Sequence, residues 1–177
     1  MATGHDGTMV PASLLYRKDT PIDCTAPLVL HGYGAYGVNI PASFSPNRFS
    51  LVDRGFIYPI ARTRGGTDLG FQWYREGKLE EKQNTFRDYI SVGEALISQN
   101  FTSLGRIVTH GGSAGGMLVG GALNMRPELF GAAAAEVPFV DVLNTMCDET
   151  LALTPPEWIQ KVACKRPPRG IFISILL

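Results

Sequence analysis

"HGGSAGGM", residues 110–117, places a serine between two pairs of glycines. The short β-branched run "RIVT" at residues 106–109 precedes it. The apolar run "MLVGGAL" at residues 117–123 begins at the last residue of the stretch, Met117. The first run is typical of a strand and the second of a buried helix. The sequence therefore predicts a strand, a tight turn at Ser113 and then a helix.

Three interpretations of this turn are open from the local residues. A serine with glycine neighbours between a strand and a helix is typical of a nucleophile elbow, where larger neighbouring side chains would collide with either element. The helix N-terminus behind Ser113 would also favour developing negative charge. The alternatives are a glycine-rich turn that packs a helix closely on a sheet, and a phosphate cradle. The absence of a lysine after the glycines weakens the cradle.

The composition indicates one globular core of moderate size. The chain has 177 residues, 45% of them hydrophobic and 18% charged, and a formal net charge of zero. This balance gives no indication of a nucleic-acid or membrane partner. The start, "MATGHDGTMV", lacks the features of a targeting segment. Cys24, Cys147 and Cys164 show no metal or disulfide spacing, so we expect a cytoplasmic protein without a bound metal.

Strands and helices are predicted to alternate along the chain. Apolar runs predict strands at residues 10–17, 27–31, 56–61 and 106–109, and a buried strand within the small-residue run at 131–139. Between them, helical spacing begins at Thr85, with Thr85 as N-cap and Asp88 completing a capping box. This order predicts an α/β fold with a mostly parallel sheet and helices on both faces.

Five segments together resemble the prolyl oligopeptidase family, and within it oligopeptidase B. They are "GYGAYG" (32–37), "DRGFIYPIARTRGG" (53–66), "GKLEEKQNTFRDYI" (77–90), "GGSAGGMLVGGALNMRPELFGAAAAEVPFVDV" (111–142) and "MCDETLALTPPEW" (146–158). The resemblance covers about residues 8–158. It implies an α/β-hydrolase fold, truncated before its last strands, with a partial catalytic domain at residues 8–160 and a divergent tail at residues 161–177.

The resemblance also implies the parts of a serine peptidase site. Ser113 would be the acylating nucleophile, and the Ala114 amide and the Tyr33 hydroxyl would donate to the oxyanion. Tyr36 would lie near the pocket for the residue before the scissile bond, and a plain packing role for it is also open. The implied function is hydrolysis of short peptides by a serine-type oligopeptidase, with no cofactor.

Substrate preference is expected to depend on Glu157. The resemblance implies an acidic pair that binds Lys or Arg before the scissile bond. Glu157 keeps the first member, while Ile159 occupies the second position, which weakens bidentate pairing with arginine. Arg62 and Arg64 are interpreted as partners of structural ion pairs, with binding of a substrate carboxylate as the alternative.

A general base for Ser113 is not evident. The histidines, His5, His31 and His110, all precede the serine, whereas the family order is serine, acid, histidine. The resemblance places the acid and the histidine beyond residue 177, and His110 lies on the wrong side of the turn. We therefore expect little or no turnover by the isolated chain. The alternative function is a catalytically incomplete fragment with at most a binding role.

Overall fold

A computed structural model describes residues 1–148, 150 and 151, and strands occur throughout this part of the chain. The strands are β1 (Ala2–Thr3), β2 (Met9–Val10), β3 (Ala12–Leu15), β4 (Leu28–His31), β5 (Tyr58–Ala61), β6 (Ile107–Gly112) and β7 (Phe130–Glu136). The predicted strand positions are thus confirmed, although the first predicted run is divided between β2 and β3.

The α-helices of the described residues include the two that the sequence predicts, after Thr85 and after Ser113. They are α1 (Pro46–Asp53), α2 (Phe71–Arg75), α3 (Lys82–Ser98), α4 (Ala114–Met125) and α5 (Val142–Cys147), with short 3₁₀ turns at Leu79–Glu81 and Pro127–Leu129. The helix after Ser113 is therefore confirmed.

The main sheet has the strand order β3-β5-β4-β6-β7, and only β3 runs antiparallel to its neighbour. Alternate residues of β4 face opposite sides of this sheet. Leu28 and Leu30 pack into the core formed with α3 and α4, while Val29 belongs to a smaller cluster with Val52 of α1. Helices thus cover both faces, as the sequence predicts for an α/β fold.

Helix α3 begins four residues before the predicted start, because a Thr85 N-cap would place the first helical residue at Phe86 rather than Lys82. Its N-cap residue is Glu81, and Thr85 lies fully buried within the helix. The Thr85 hydroxyl donates to the Arg64 carbonyl oxygen at 2.9 Å, and Asp88 pairs with Arg64 rather than closing a capping box. The predicted capping roles of Thr85 and Asp88 are wrong because both side chains bind a distant loop.

Strand β7 is less buried than the small-residue run predicted. Phe130 is buried, whereas residues 131–136 are exposed, because β7 is the edge strand of the sheet in the part of the chain described. The predicted boundary at residue 160 and the tail lie outside the described residues.

Candidate active site

The turn at Ser113 has the backbone geometry of a nucleophile elbow. Ser113 lies between β6 and α4 with φ 53° and ψ −117°, a conformation that non-glycine residues rarely adopt, and its side chain is exposed. The Ser113 N–H donates to the Glu136 carbonyl oxygen at 2.9 Å, and the Phe139 N–H donates to the Ser113 carbonyl oxygen at 3.0 Å. The surrounding backbone therefore holds a conformation that costs on the order of 1–3 kcal/mol.

Close contacts require glycine at positions 111, 115 and 116, whereas a Cβ atom on Gly112 would meet Glu136 only at an ordinary contact distance of 3.5 Å. A Cβ atom on Gly115 would lie 2.7 Å from the Gly32 carbonyl oxygen, and one on Gly116 would lie 2.5 Å from Pro138 Cβ. A Cβ atom on Gly111 would collide with the backbone of Gly115. The sequence-based explanation of these glycines, clearance for the strand and the helix, is therefore supported.

The structure brings Tyr33 and Ala114 to the same elbow. Ala114 is buried at the first position of α4, where its N–H group has no acceptor within the helix. Tyr33 follows β4, and a Cβ atom on Gly115 would lie 3.4 Å from both Cα and Cδ2 of Tyr33. The Gly32 N–H donates to the His110 carbonyl oxygen at 3.2 Å, which joins the Tyr33 loop to the elbow strand.

Tyr36 lies beside Tyr33 in the same loop. Their ring centroids are 6.4 Å apart, and Tyr36 has a positive φ of 58°. Its side chain lines a small cleft together with residues of the neighbouring loops, namely Ala35, Gly65, Tyr74, Gly77, Lys78 and Lys82. The position is compatible with a substrate contact and with packing. Glu157 and Ile159 lie outside the described residues.

Two of the histidines contact each other rather than the serine. His31 Nδ1 and His110 Nδ1 are 2.8 Å apart, and His110 Nε2 lies 3.3 Å from Glu136 Oε1. Within the described residues, no hydrogen bond joins an imidazole to Ser113 Oγ. Burial, followed by the charges of His110 and Arg48, lowers the pKa of His31 to about 4.

The contact between the histidines was missed from the sequence. A signal did exist, because each histidine comes directly before a glycine near the end of a predicted strand. The strands β4 and β6 are parallel neighbours, and their register pairs His31 directly with His110. Only the strand order establishes that the two strands are adjacent.

The two arginines of "ARTRGG" form ion pairs, as predicted. Arg62 Nη1 lies 2.5 Å from Asp68, and Arg64 contacts Asp88 and Asp6, each at 2.6 Å. The hydrogen bond from Arg64 holds the pKa of Asp6 well below its usual range. These side chains therefore fix the loop after β5.

In the part of the chain that the structure describes, no group of three or more His, Cys, Asp or Glu side chains could hold a metal ion. None of the described helices is long and apolar enough to cross a membrane.

Comparison with known proteins identifies the family. Residues 42–169 match the family model described as "Prolyl oligopeptidase family". The chain is 45% identical to Protease 2 of Moraxella lacunata over 157 residues, which are 89% of this chain and 23% of that protein. It is 44% identical to dipeptidyl aminopeptidase BI of Pseudoxanthomonas mexicana over 158 residues, which are 89% of this chain and 22% of the relative.

A solved structure shares the fold. Oligopeptidase B from Trypanosoma brucei with covalently bound antipain has a TM-score of 0.88 and 47% sequence identity, covering 92% of this chain and 23% of that one. The chain spans less than a quarter of the length of these relatives. Because the family match and the elbow geometry agree, the chain belongs to the prolyl oligopeptidase family and has the α/β-hydrolase fold.

Proposed function

We propose that this chain supplies the nucleophile and the oxyanion donors of a serine peptidase that hydrolyses short peptides. The observation that carries the proposal is the strained, exposed Ser113 at the start of α4. Its backbone angles turn the side chain out of the sheet at the point where β6 ends and the helix begins. A serine held in this way can approach a peptide carbonyl without hindrance from the sheet.

The reaction proceeds in two steps. Ser113 Oγ bonds to the carbonyl carbon, and the C–N bond then breaks as the proton from the hydroxyl passes through a general base to the leaving amine. Water then hydrolyses the resulting ester and frees the serine. The transient oxyanion accepts hydrogen bonds from the Ala114 N–H and the Tyr33 hydroxyl. Loss of one such donor generally costs about 10²–10³-fold in rate.

Substrate class is proposed from the relatives and from Glu157. The similarity to oligopeptidase B at 47% identity supports an oligopeptidase. Cleavage after Lys or Arg is proposed from Glu157, which keeps one member of the acidic pair that the sequence resemblance implies. Glu157 would pair with the basic side chain, and Ile159 at the second position would weaken the preference for arginine. The comparable similarity to a dipeptidyl aminopeptidase makes release of N-terminal dipeptides the competing specificity.

A binding role without turnover is the second candidate function. It is favoured by one observation, the lack among the described residues of an imidazole hydrogen-bonded to Ser113. A serine hydroxyl without a base is a poor nucleophile at neutral pH. The two candidates therefore differ in whether Ser113 is acylated, which can be measured.

A chimera provides the test. The matching 157-residue segment of Moraxella lacunata Protease 2 would be replaced by the corresponding residues of this chain, so that the remaining parts of the relative are present. We expect hydrolysis of short peptides and a loss on the order of 10⁴-fold or more in kcat on Ser113→Ala. Tyr33→Phe should cost about 10²–10³-fold. The matched control is Ser98→Ala, at an exposed serine near the end of α3.

The substrate preference of the chimera also distinguishes cleavage after Lys or Arg from release of N-terminal dipeptides. Faster cleavage after Arg or Lys than after Pro, with a blocked N-terminus tolerated, would support the oligopeptidase assignment. Turnover by the chimera that survives Ser113→Ala would overturn the nucleophile assignment. An inactive chimera that still binds peptide with unchanged affinity in Ser113→Ala would favour the binding role.

A further inference from the structure

The paired histidines lie on the two strands that lead into the Tyr33 loop and the Ser113 elbow. His31 is the last residue of β4, two positions before Tyr33, and His110 lies in β6, three positions before Ser113. Because the strands are parallel and in register at these residues, the two imidazoles meet on the face of the sheet that α1 covers. The rings have centroids 4.8 Å apart.

The contacts of His110 determine which nitrogen carries each proton. A neutral imidazole has one N–H donor and one acceptor nitrogen. His110 Nε2 lies 3.3 Å from Glu136 Oε1, and an ionised carboxylate only accepts, so this contact favours the neutral tautomer of His110 that carries its proton on Nε2. His110 Nδ1 is then the acceptor, and His31 Nδ1–H donates to it at 2.8 Å. The hydrogen bonds therefore run from His31 to His110 to Glu136.

This chain of hydrogen bonds reaches the backbone that holds the elbow. The carbonyl oxygen of Glu136 accepts the Ser113 N–H at 2.9 Å, and the carbonyl oxygen of His110 accepts the Gly32 N–H at 3.2 Å. The Glu136 side chain is 71% exposed, so its bond contributes little to stability. The His110 side chain is 22% exposed, and its bond to His31 is the better protected contact.

We propose that His31 and His110 are positioning residues, whose hydrogen bond fixes the Tyr33 loop relative to the Ser113 elbow. The proposal rests on the proposed function of Ser113 and Tyr33, and it assigns neither histidine a contact with substrate. The bond joins β4 to β6 at the residues from which the two functional segments leave the sheet. Without it, the backbone hydrogen bonds from Ser113 to Glu136 and from Gly32 to His110 remain, and the two segments lose one side-chain link.

The surroundings of His31 favour its neutral form at pH 7. Facing it are His110 from β6, Tyr58 from β5, Arg48 from α1 and Glu136 from β7. Burial, followed by the electrostatic effects of His110 and Arg48, lowers the pKa of His31 to about 4, so His31 is neutral at pH 7. Neutral His31 can carry the Nδ1 proton that it donates to His110.

Nuclear magnetic resonance of the full chain, labelled with ¹⁵N, tests the assignment without requiring turnover. At about pH 7.5 we expect the proton on Nδ1 of His31 and on Nε2 of His110, with scalar coupling between the two Nδ1 atoms across the hydrogen bond. Amide hydrogen exchange of Ser113 reports the position of the elbow. His110→Leu removes the acceptor, and Ser113 exchange should become about tenfold faster, corresponding to loss of one hydrogen bond.

A conservative variant separates positioning from general packing. His110→Asn places a side-chain oxygen near the position of Nδ1, so it should restore Ser113 exchange to within about twofold of the wild-type rate. The matched control is His5→Asn, at an exposed histidine that contacts Arg87. Exchange of the α3 amides in each variant reports global stability, so a loss of folding is distinguished from a local effect.

Two results would overturn the proposal. One is identical exchange at Ser113 in the wild type and His110→Leu, and the other is the absence of coupling between the two Nδ1 atoms. Neither readout depends on acylation, so an inactive Ser113 would refute the proposed function and leave these measurements intact. Intact activity in the chimera together with absent coupling would refute the positioning role alone.

Discussion

Arg64 offers a sharp test of the packing because it pairs with two carboxylates of different exposure. The Arg64 side chain is 3% exposed, Asp88 is fully buried and Asp6 is 36% exposed. Asp88 accepts from Arg64 Nε at 2.9 Å, from Nη2 at 2.6 Å and from the Arg64 peptide N–H at 2.9 Å. Of the Arg64 donors, only Nη1 contacts Asp6, at 2.6 Å.

Replacing each carboxylate by its isosteric amide should therefore have unequal effects. Asp88→Asn leaves a buried guanidinium without its main partner and turns an amide N–H₂ group toward donors. Breaking a buried pair in this way costs about 3–5 kcal/mol, a large part of a typical unfolding free energy of about 5–15 kcal/mol. Asp6→Asn removes a partly exposed partner and should cost about 1 kcal/mol or less.

Equilibrium unfolding in urea at neutral pH measures both values. The two variants are compared with the wild type. Where the m-values are equal, the shift in the urea midpoint measures the change in the free energy of unfolding. Helical circular dichroism is a suitable probe because Asp88 lies within α3. Equal losses in the two variants, or a loss below about 1 kcal/mol for Asp88→Asn, would contradict the idea that this buried pair holds the β5 loop on α3.

Three further predictions concern the elbow and the histidine pair. Ser113→Gly should be more stable than Ser113→Ala by about 1 kcal/mol, because only glycine relieves the positive φ; equal urea midpoints would argue against strain. Gly116→Ala should destabilise the chain by about 1–3 kcal/mol through its contact with Pro138, whereas Gly120→Ala, near only Val140 at 3.9 Å, should not reduce the thermal midpoint. Because the folded-state pKa of His31 is about 4, below the ordinary 6.5, stability should fall as the pH decreases from 6.5 toward 4. The loss is up to ~3 kcal/mol, and an unchanged slope in His31→Phe would refute it.

The sequence by itself determined the local geometry of the elbow. "HGGSAGGM" between a β-branched run and an apolar run is sufficient to predict the strand, the turn and α4, because each depends on neighbouring residues. The glycines are informative for the same reason, since a turn of this kind excludes a Cβ atom at several adjacent positions. The ion pairing of Arg62 and Arg64 was also predicted, although their partners were not.

The tertiary structure decided every feature that joins residues far apart in the chain. Thr85 resembles an N-cap in sequence, yet its hydroxyl binds the carbonyl oxygen of Arg64, 21 residues away, so α3 begins at Lys82. His31 and His110 are 79 residues apart and meet only because β4 and β6 are parallel neighbours in register. Local patterns report the preferences of adjacent residues, whereas burial and pairing depend on strand order and on which loops meet. For this reason the elbow was evident from the sequence, while the contacts that hold it in place were not.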